Sequence, residues 1–225
     1  MGEVSFMGTE KDTKETQAQT VDEYITELKM KLAGGVKHGD HESTTHLYNL
    51  GVAYLSKRMW QEAERAFREV VDKLPRFAEA YVQLGGICLH RGDIEGCLNF
   101  NKLAKTFRPD FAPAFGNMGF CYLQMGEVEK AVDILKKAIN RNPKFVQALA
   151  TLGSACLMSG DLDGCIEHCE KAVEIEPAFG PAYHNLALAH MEKKDFKKAV
   201  EYVDKAVETG FEVPEEILKE LEQHR

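Results

Sequence analysis

A short pattern of an amide or hydroxyl residue, an apolar residue and a small residue recurs every 34 residues along this 225-residue chain. Its five copies are Asn49–Gly51, Gln83–Gly85, Asn117–Gly119, Thr151–Gly153 and Asn185–Ala187. Proline keeps the same spacing at Pro75, Pro109, Pro143 and Pro177. Repetition at this period, without drift, is typical of solenoids built from pairs of α-helices. The sequence therefore predicts stacked repeats that each contact only their neighbours, and not one central core.

Composition narrows the classes of partner. The net charge of −8 disfavours a nucleic-acid-binding surface, because neutralising phosphates requires clustered cations. The sequence contains no apolar run near the roughly 20 residues needed to span a bilayer, so no membrane partner is expected. The N-terminus lacks the basic-then-apolar order of a secretory signal. A cytoplasmic location is the expectation.

The pattern divides the chain into an N-terminal part, five repeats and a C-terminal helix. We expect a disordered tail at 1–19 and a short helix with its loop at 20–43. The helix is predicted at about 21–33 because Thr20 and Glu23 match a capping box and Gly34 and Gly35 provide a stop. The polar loop that follows contains His38 and His41, and the helix is expected to cover the first repeat. The repeats are predicted at 44–77, 78–111, 112–145, 146–179 and 180–213, followed by a capping helix at 214–225.

Aligned from Thr44, the five copies share an apolar stripe with a small residue beside it. Position 4 holds Leu47, Tyr81, Phe115, Leu149 and Tyr183, and position 7 holds Leu50, Leu84, Met118, Leu152 and Leu186. This spacing predicts a first helix, and the glycine or alanine at position 8 allows a second helix to approach closely. The second helix is marked by alanine or cysteine at position 20 and by Val70 or alanine at position 27. Gly92, Gly126 and Gly160 are expected in the turns between helices of the middle three copies, and the prolines end the second helices.

These small, aromatic and proline columns resemble the tetratricopeptide repeat family. The departures are Cys88, Cys156 and His190 where the family usually has tyrosine at position 11, and Phe211 in place of the last proline. The resemblance implies an all-α, right-handed helical solenoid of helix-turn-helix repeats with an N-terminal helix and a C-terminal capping helix. The segment after Pro214, with Ile217, Leu218 and Leu221 on one face, suits that cap.

The resemblance also implies that first-helix positions 2, 5, 6, 9, 12 and 13 border a concave groove. Position 6 forms a row of mostly carboxamide side chains that can pair with the backbone of an extended peptide. The alternative is that these side chains form hydrogen bonds only between neighbouring helices. The row comprises Asn49, Gln83, Asn117, Thr151 and Asn185. The groove is further predicted to include Tyr48, Phe120, His184, Leu89, Leu123 and Leu157. The alternative for the three leucines is that they are half-buried against the next helix and do not contact a ligand.

Cations are missing from positions 2, 5 and 9. A clamp for a carboxylate tail is therefore not expected, since a carboxylate that leaves water needs charged donors. The predicted partner is a protein or extended peptide segment that is neutral or apolar to mildly basic.

The six cysteines fall mostly where packing favours small residues, and they suit a reducing compartment. The alternative is a metal or redox role at Cys165 and Cys169, which share a helix face. His168 lies off that face, and no second pair completes a tetrahedral site. No metal or other cofactor is expected.

No nucleophile elbow, phosphate-binding loop, dinucleotide fingerprint or zinc-protease motif occurs, so the chain is not expected to be an enzyme. The leading hypothesis is an adaptor, scaffold or assembly factor that binds an extended partner segment in its groove. The alternatives are a self-assembling structural scaffold, which would be a homo-oligomer, and a thiol- or metal-responsive sensor.

Overall fold

The computed structural model describes the backbone of residues 10–34 and 41–225, and the side chains from Thr20 onward within those ranges. All regular structure in these ranges is α-helical, which confirms the predicted all-α class. Of the described helices, none has both the length and the apolar character needed to cross a bilayer. The twelve helices within these ranges are α1 Glu10–Ala33, α2 His41–Ser56, α3 Trp60–Lys73, α4 Ala78–His90, α5 Ile94–Phe107, α6 Ala112–Gln124, α7 Val128–Arg141, α8 Val146–Met158, α9 Leu162–Ile175, α10 Gly180–Glu192, α11 Phe196–Glu208 and α12 Glu215–Glu222.

The described residues form two compact units, which divide between Ile87 and Cys88. In the first unit, α2 and α3 pair, and α1 packs on α2. In the second unit, α6 pairs with α7, α8 with α9, and α10 with α11, while α6, α8 and α10 lie side by side. Each pair is one helix-turn-helix repeat.

A residue with left-handed backbone lies between the first and second helix of every copy. Gly92, Gly126 and Gly160 have φ of 78°, 76° and 79°, as glycine readily allows. The first and fifth copies make the same turn with Arg58 and Lys194, at φ of 57° and 60°. The sequence pattern indicated this turn only where glycine marks it.

The glycine at position 8 brings two helices of a pair into close contact. A Cβ atom on Gly51 would lie 2.7 Å from Cε1 of Phe67, a fully buried ring of α3. In the fourth copy, Gly153 is packed in the same way by the sulfur of Cys169. The second helices contribute fully buried small side chains to the contact, including Ala63, Cys97, Ala131, Cys165 and Ala199.

The N-terminal prediction is wrong in its boundaries. Helix α1 already begins at Glu10, so Thr20 lies inside the helix and does not cap it. Residues 10–19 are rich in glutamate, lysine and glutamine, which have high helix propensity and extend the helix beyond a motif that merely resembles a cap. Residues 1–9 of the expected disordered tail lie outside the described residues, as do 35–40 of the predicted loop, including His38.

The first repeat also begins earlier than expected. Helix α2 starts at His41, three residues before the predicted boundary at Thr44 and within the segment expected to be loop. On α1, Ile25 and Leu28 are buried, whereas Tyr24 is 42% exposed.

The C-terminal capping helix is confirmed as α12. Leu221 is fully buried against Ala187 and Val203, and Ile217 and Leu218 pack on the same cluster. The ring of His224 stacks on Phe196 at 3.8 Å between centroids, and Arg225 pairs with Asp204. The cap thus covers the apolar face that the last repeat would otherwise expose.

Candidate functional site

A cleft of about 670 Å³ lies in the second unit, bordered by α6, α8 and α10. It brings together five of the predicted groove residues: Phe120, Leu123, Thr151, His184 and Asn185. The remaining lining residues are Gln124, Gln147, Ala150, Ser154, Met158, Phe179, Pro181 and Phe211. We refer to this set as the cleft. Its volume is in the range typical of ligand-binding pockets.

None of the described side chains that line the cleft carries a charge. Helices α6 and α8 contain no Asp, Glu, Lys or Arg at all, and α10 contains only Glu192, at its final residue. The paired second helices differ sharply, since α7 alone carries six charged residues in fourteen. The charges are therefore segregated away from the first helices, in keeping with the cations that the sequence lacks at positions 2, 5 and 9.

Sequence reasoning missed a phenylalanine that follows each of the four repeated prolines by two residues. This column is Phe77, Phe111, Phe145 and Phe179, again at 34-residue spacing. Phe179 lines the cleft, and Phe211, which stands where the fifth copy lacks the proline, lines it as well. The recurrence itself was the signal that could have identified these residues.

In three copies, an aromatic ring from the end of the repeat lies against position 5 of the same copy. The rings of Tyr48 and Phe77 lie 5.2 Å apart, and those of His184 and Phe211 are also 5.2 Å apart. At Gly116, an added Cβ would lie 2.6 Å from Cε1 of Phe145. Position 5 is therefore in contact with an aromatic ring, or would meet one, in the first, third and fifth copies.

The hydrogen bonds of the position-6 row in the cleft favour the local-bonding alternative. The Asn185 amide nitrogen donates to the backbone oxygen of Ala150 at 3.1 Å and to the Ser154 hydroxyl at 2.8 Å. Thr151 donates its hydroxyl proton to the backbone oxygen of Gln147 at 2.6 Å. With Asn185 only 8% exposed, its two donated bonds hold α8 and α10 together.

Two other amides in the cleft wall have free hydrogen-bonding groups. Gln124 and Gln147 are exposed, and in the described part of the chain their side chains form no hydrogen bond. They occupy positions 13 and 2, which the family resemblance places at the groove. They are better candidates than Asn185 for pairing with a peptide backbone.

The rest of the predicted row also makes internal contacts. Asn117 donates to the oxygen of Asn101 at 3.2 Å. In the first unit, Gln83 donates to the Tyr48 hydroxyl at 3.3 Å. Asn49 lines a 240 Å³ pocket together with Val21 and Tyr24 of α1.

The predicted leucines are separated by the structure. Leu123 is 7% exposed and lines the cleft. Leu157 lines a different pocket of about 290 Å³, with Leu188 and Glu192. Leu89 is half-buried and packs on the cluster that contains Cys97. Of the three leucines, Leu123 is thus the one positioned to contact an occupant of the cleft.

His184 contributes an uncharged ring to the cleft. Its side chain is half-buried, and its Nδ1 atom has no hydrogen-bond partner among the described residues. Burial lowers its pKa below the usual value, so the imidazole is neutral at physiological pH.

All six cysteines are buried and free. The hydrogen bond that Cys169 donates to the sulfur of Cys165, together with burial, raises the pKa of Cys169, and burial raises the pKa of Cys156 to about 11. These two thiols stay protonated at neutral pH, which is the unreactive form. Cys169 fills the space above Gly153, a packing role. Among the described residues, no group of three or more His, Cys, Asp or Glu side chains is placed to hold a metal ion.

His190 occupies the position-11 site of the fifth copy and is 5% exposed. Its ring stacks on Tyr202 at 5.4 Å, and neither ring nitrogen has a hydrogen-bond partner in the described structure. Asp195 lies 3.5 Å from Nδ1, but burial and the nearby Lys198 outweigh it and lower the pKa of His190. His190 is therefore held neutral.

We expect His190→Phe to reduce the loss of stability in mild acid. In the unfolded chain the histidine takes up a proton as the pH falls through about 6.5, whereas in the folded protein it stays neutral to a lower pH. The native state therefore loses stability below about pH 6.5. Each unit by which the pKa is lowered corresponds to about 1.4 kcal/mol. Urea unfolding near neutral pH and in mild acid measures this loss. Equal losses in the wild type and the variant would contradict a buried neutral histidine.

Comparison with known proteins identifies the repeat. Sequence profiles described as tetratricopeptide repeat match residues 48–96, 112–145, 146–179 and 180–209, which is well over half of the chain. No protein with curated annotation matches the chain.

Solved structures share the fold. The crystal structure of MamA is 28% identical with a TM-score of 0.58, over 72% of this chain and 94% of that one. MamA from Desulfovibrio magneticus RS-1 is 23% identical with a TM-score of 0.61, over 74% and 94%. PilW, described as a widely conserved type IV pilus biogenesis factor, is 16% identical with a TM-score of 0.70, over 80% and 83%. With 34-residue sequence repeats, paired helices and matching family profiles in agreement, the chain belongs to the tetratricopeptide repeat family.

Proposed function

We propose that this protein is a non-enzymatic protein–protein interaction module, an adaptor, scaffold or assembly factor, that binds an extended segment of a partner in the cleft. The observation that carries the proposal is an uncharged cleft of about 670 Å³ in which half-buried phenylalanines lie beside free amide groups. Apolar surface supplies affinity for such a segment, and the amides of Gln124 and Gln147 supply bonds to its backbone.

The arrangement of helices supports an extended ligand. Helices α6, α8 and α10 are neighbours and all contribute to the wall. Packed helices lie about 9 Å apart, so three of them span about 18 Å. An extended chain covers that distance with about six residues. The cleft therefore suits a short linear segment.

The partner's chemistry follows from the lining. A neutral or apolar segment is favoured, since no described side chain in the wall can pair with a buried charge. The same lining residues include no cations with which to hold nucleic acid. Six buried free thiols are compatible with a reducing compartment such as the cytoplasm, where we place the protein.

Binding in the cleft can be tested by introducing a charged residue into its lining and, as a matched control, the same residue outside it. Met158 lines the cleft and is 59% exposed, while Met125 is 43% exposed and is not part of the lining. We expect Met158→Glu to reduce partner recovery from native cell extract by about tenfold, because the segment would have to desolvate a carboxylate. Met125→Glu should leave recovery unchanged, and circular dichroism should show equal helicity. Undiminished recovery with Met158→Glu would refute binding in the cleft.

A further inference from the structure

Aromatic rings from several elements of the second unit line the same cleft. Phe120 is in α6, Phe179 immediately precedes α10, and Phe211 follows α11. All three are half-buried, so part of each ring is available to a ligand. The imidazole of His184 lies beside Phe211. Resting on the proposed function, we propose that the cleft selects a partner segment by one aromatic side chain, seated among Phe120, Phe179 and Phe211, within a run of uncharged residues.

Ring geometry favours an aromatic occupant over an aliphatic one. Aromatic side chains attract one another in edge-to-face and offset arrangements beyond the effect of buried area, and several rings around one cavity offer both. Met158, on the same wall, adds a thioether that makes favourable contacts with ring edges. Aromatic residues are also the side chains that most often dominate binding at protein interfaces.

The lining of the cleft also disfavours partner segments with a charged side chain at this site. We call the partner side chain that is seated among the three phenylalanines the anchor. A lysine or aspartate as the anchor would lose its hydration against the rings, and no described group in the lining carries an opposite charge. Glu192, the charged residue of α10, lines the separate pocket with Leu157. Discrimination against charge is therefore built into the site.

The free amides favour a backbone-bonded segment around the anchor. Gln124 and Gln147 each present a donor and an acceptor on the wall. A tyrosine or tryptophan anchor also has a polar group that can form a hydrogen bond with these amides, whereas phenylalanine makes only ring contacts.

Selection from a phage-displayed library of random dodecapeptides on the full-length chain tests the proposal. We expect enriched peptides to carry Phe, Tyr or Trp within a run of about six uncharged residues. Synthetic versions, measured by fluorescence anisotropy, should lose about tenfold or more in affinity when the aromatic residue becomes aspartate, and measurably less when it becomes leucine. Binding should fall by a similar factor with Met158→Glu and remain unchanged with Met125→Glu.

The outcomes separate this inference from the function on which it rests. Peptides that require an intact cleft but carry a charged or aliphatic anchor would overturn the aromatic selection and leave the proposed function standing. Peptides that bind Met158→Glu as tightly as the wild type would overturn both. Aromatic, uncharged peptides that depend on Met158 and not on Met125 support both.

Discussion

Replacing Gly119 by valine should lower the free energy of unfolding by about 3 kcal/mol, because the site has no room for a side chain. Gly119 is buried at position 8 of the third repeat, where α6 approaches α7. An added Cβ would collide with Cγ of Leu135 and lie 2.6 Å from its Cδ2. Leu135 is itself fully buried, so it has no free space into which it can retreat. Backbone movement between the paired helices is then needed.

Gly86→Val provides the matched control. Gly86 is also in a first helix, but nothing lies within 4 Å of the place that its Cβ atom would take, and the residue is exposed. Both substitutions gain the same helix propensity, so the difference between them isolates the close contact. We expect the control to change stability by less than about 0.5 kcal/mol. Urea titration followed by circular dichroism measures both, and equal stability of the two variants would contradict the contact.

Asn101→Ala should cost about 2 kcal/mol, since it leaves a small void and removes a buried hydrogen-bonded group. Asn101 is fully buried at position 24, where the other repeats have Phe67, Leu135, Cys169 and Val203. Its amide donates to the backbone oxygen of Cys97 at 2.8 Å, and its oxygen accepts from Asn117 at 3.2 Å. The pair links α5 to α6.

The leucine variant separates polar pairing from filled volume. Asn101→Leu occupies the space as the other repeats do and should be less destabilising than Asn101→Ala. A cycle with Asn117→Ala should give a coupling energy of about 1 kcal/mol, as expected for residues in direct contact. Thermal unfolding of the four combinations provides the data. An Asn101→Ala variant as stable as the wild type would show that the pair contributes nothing.

The 34-residue period predicted the helix pairs well because every copy repeats the same local choices. Position 8, the small residues of the second helix and the interhelical glycines all indicate one geometry. The predicted start of the N-terminal helix is wrong because its first residues are polar, which favours disorder, yet the same residues have high helix propensity. The turns at Arg58 and Lys194 lack the glycine that marks this turn in the other copies, yet local backbone bonds close them in the same way, from Met59 to Tyr54 and from Asp195 to His190.

The candidate site was predictable in character but not in its contacts. Positions 2, 5 and 9 lack cations in the sequence, and no described side chain in the cleft wall around Phe120 and His184 is charged. The role of each amide is harder to predict from sequence, because a carboxamide faces a neighbouring helix only where the adjacent repeat provides a hydrogen-bond partner. Asn185 bonds to Ser154 and Asn117 bonds to Asn101, so both are used internally. The side chain of Gln147 makes no such bond within the described part of the chain and remains available.

The contact between position 5 and the phenylalanine column lets each repeat tune its own surface. Tyr48 covers part of Phe77, whereas Gly116 leaves space that Phe145 fills, and Ala150 and Phe179 border the open part of the cleft. Position 5 is distinct from position 8, where the two helices of a pair approach each other most closely. If the cleft binds a partner as proposed, we expect changes at position 5 to alter its specificity more than they alter the contacts between paired helices.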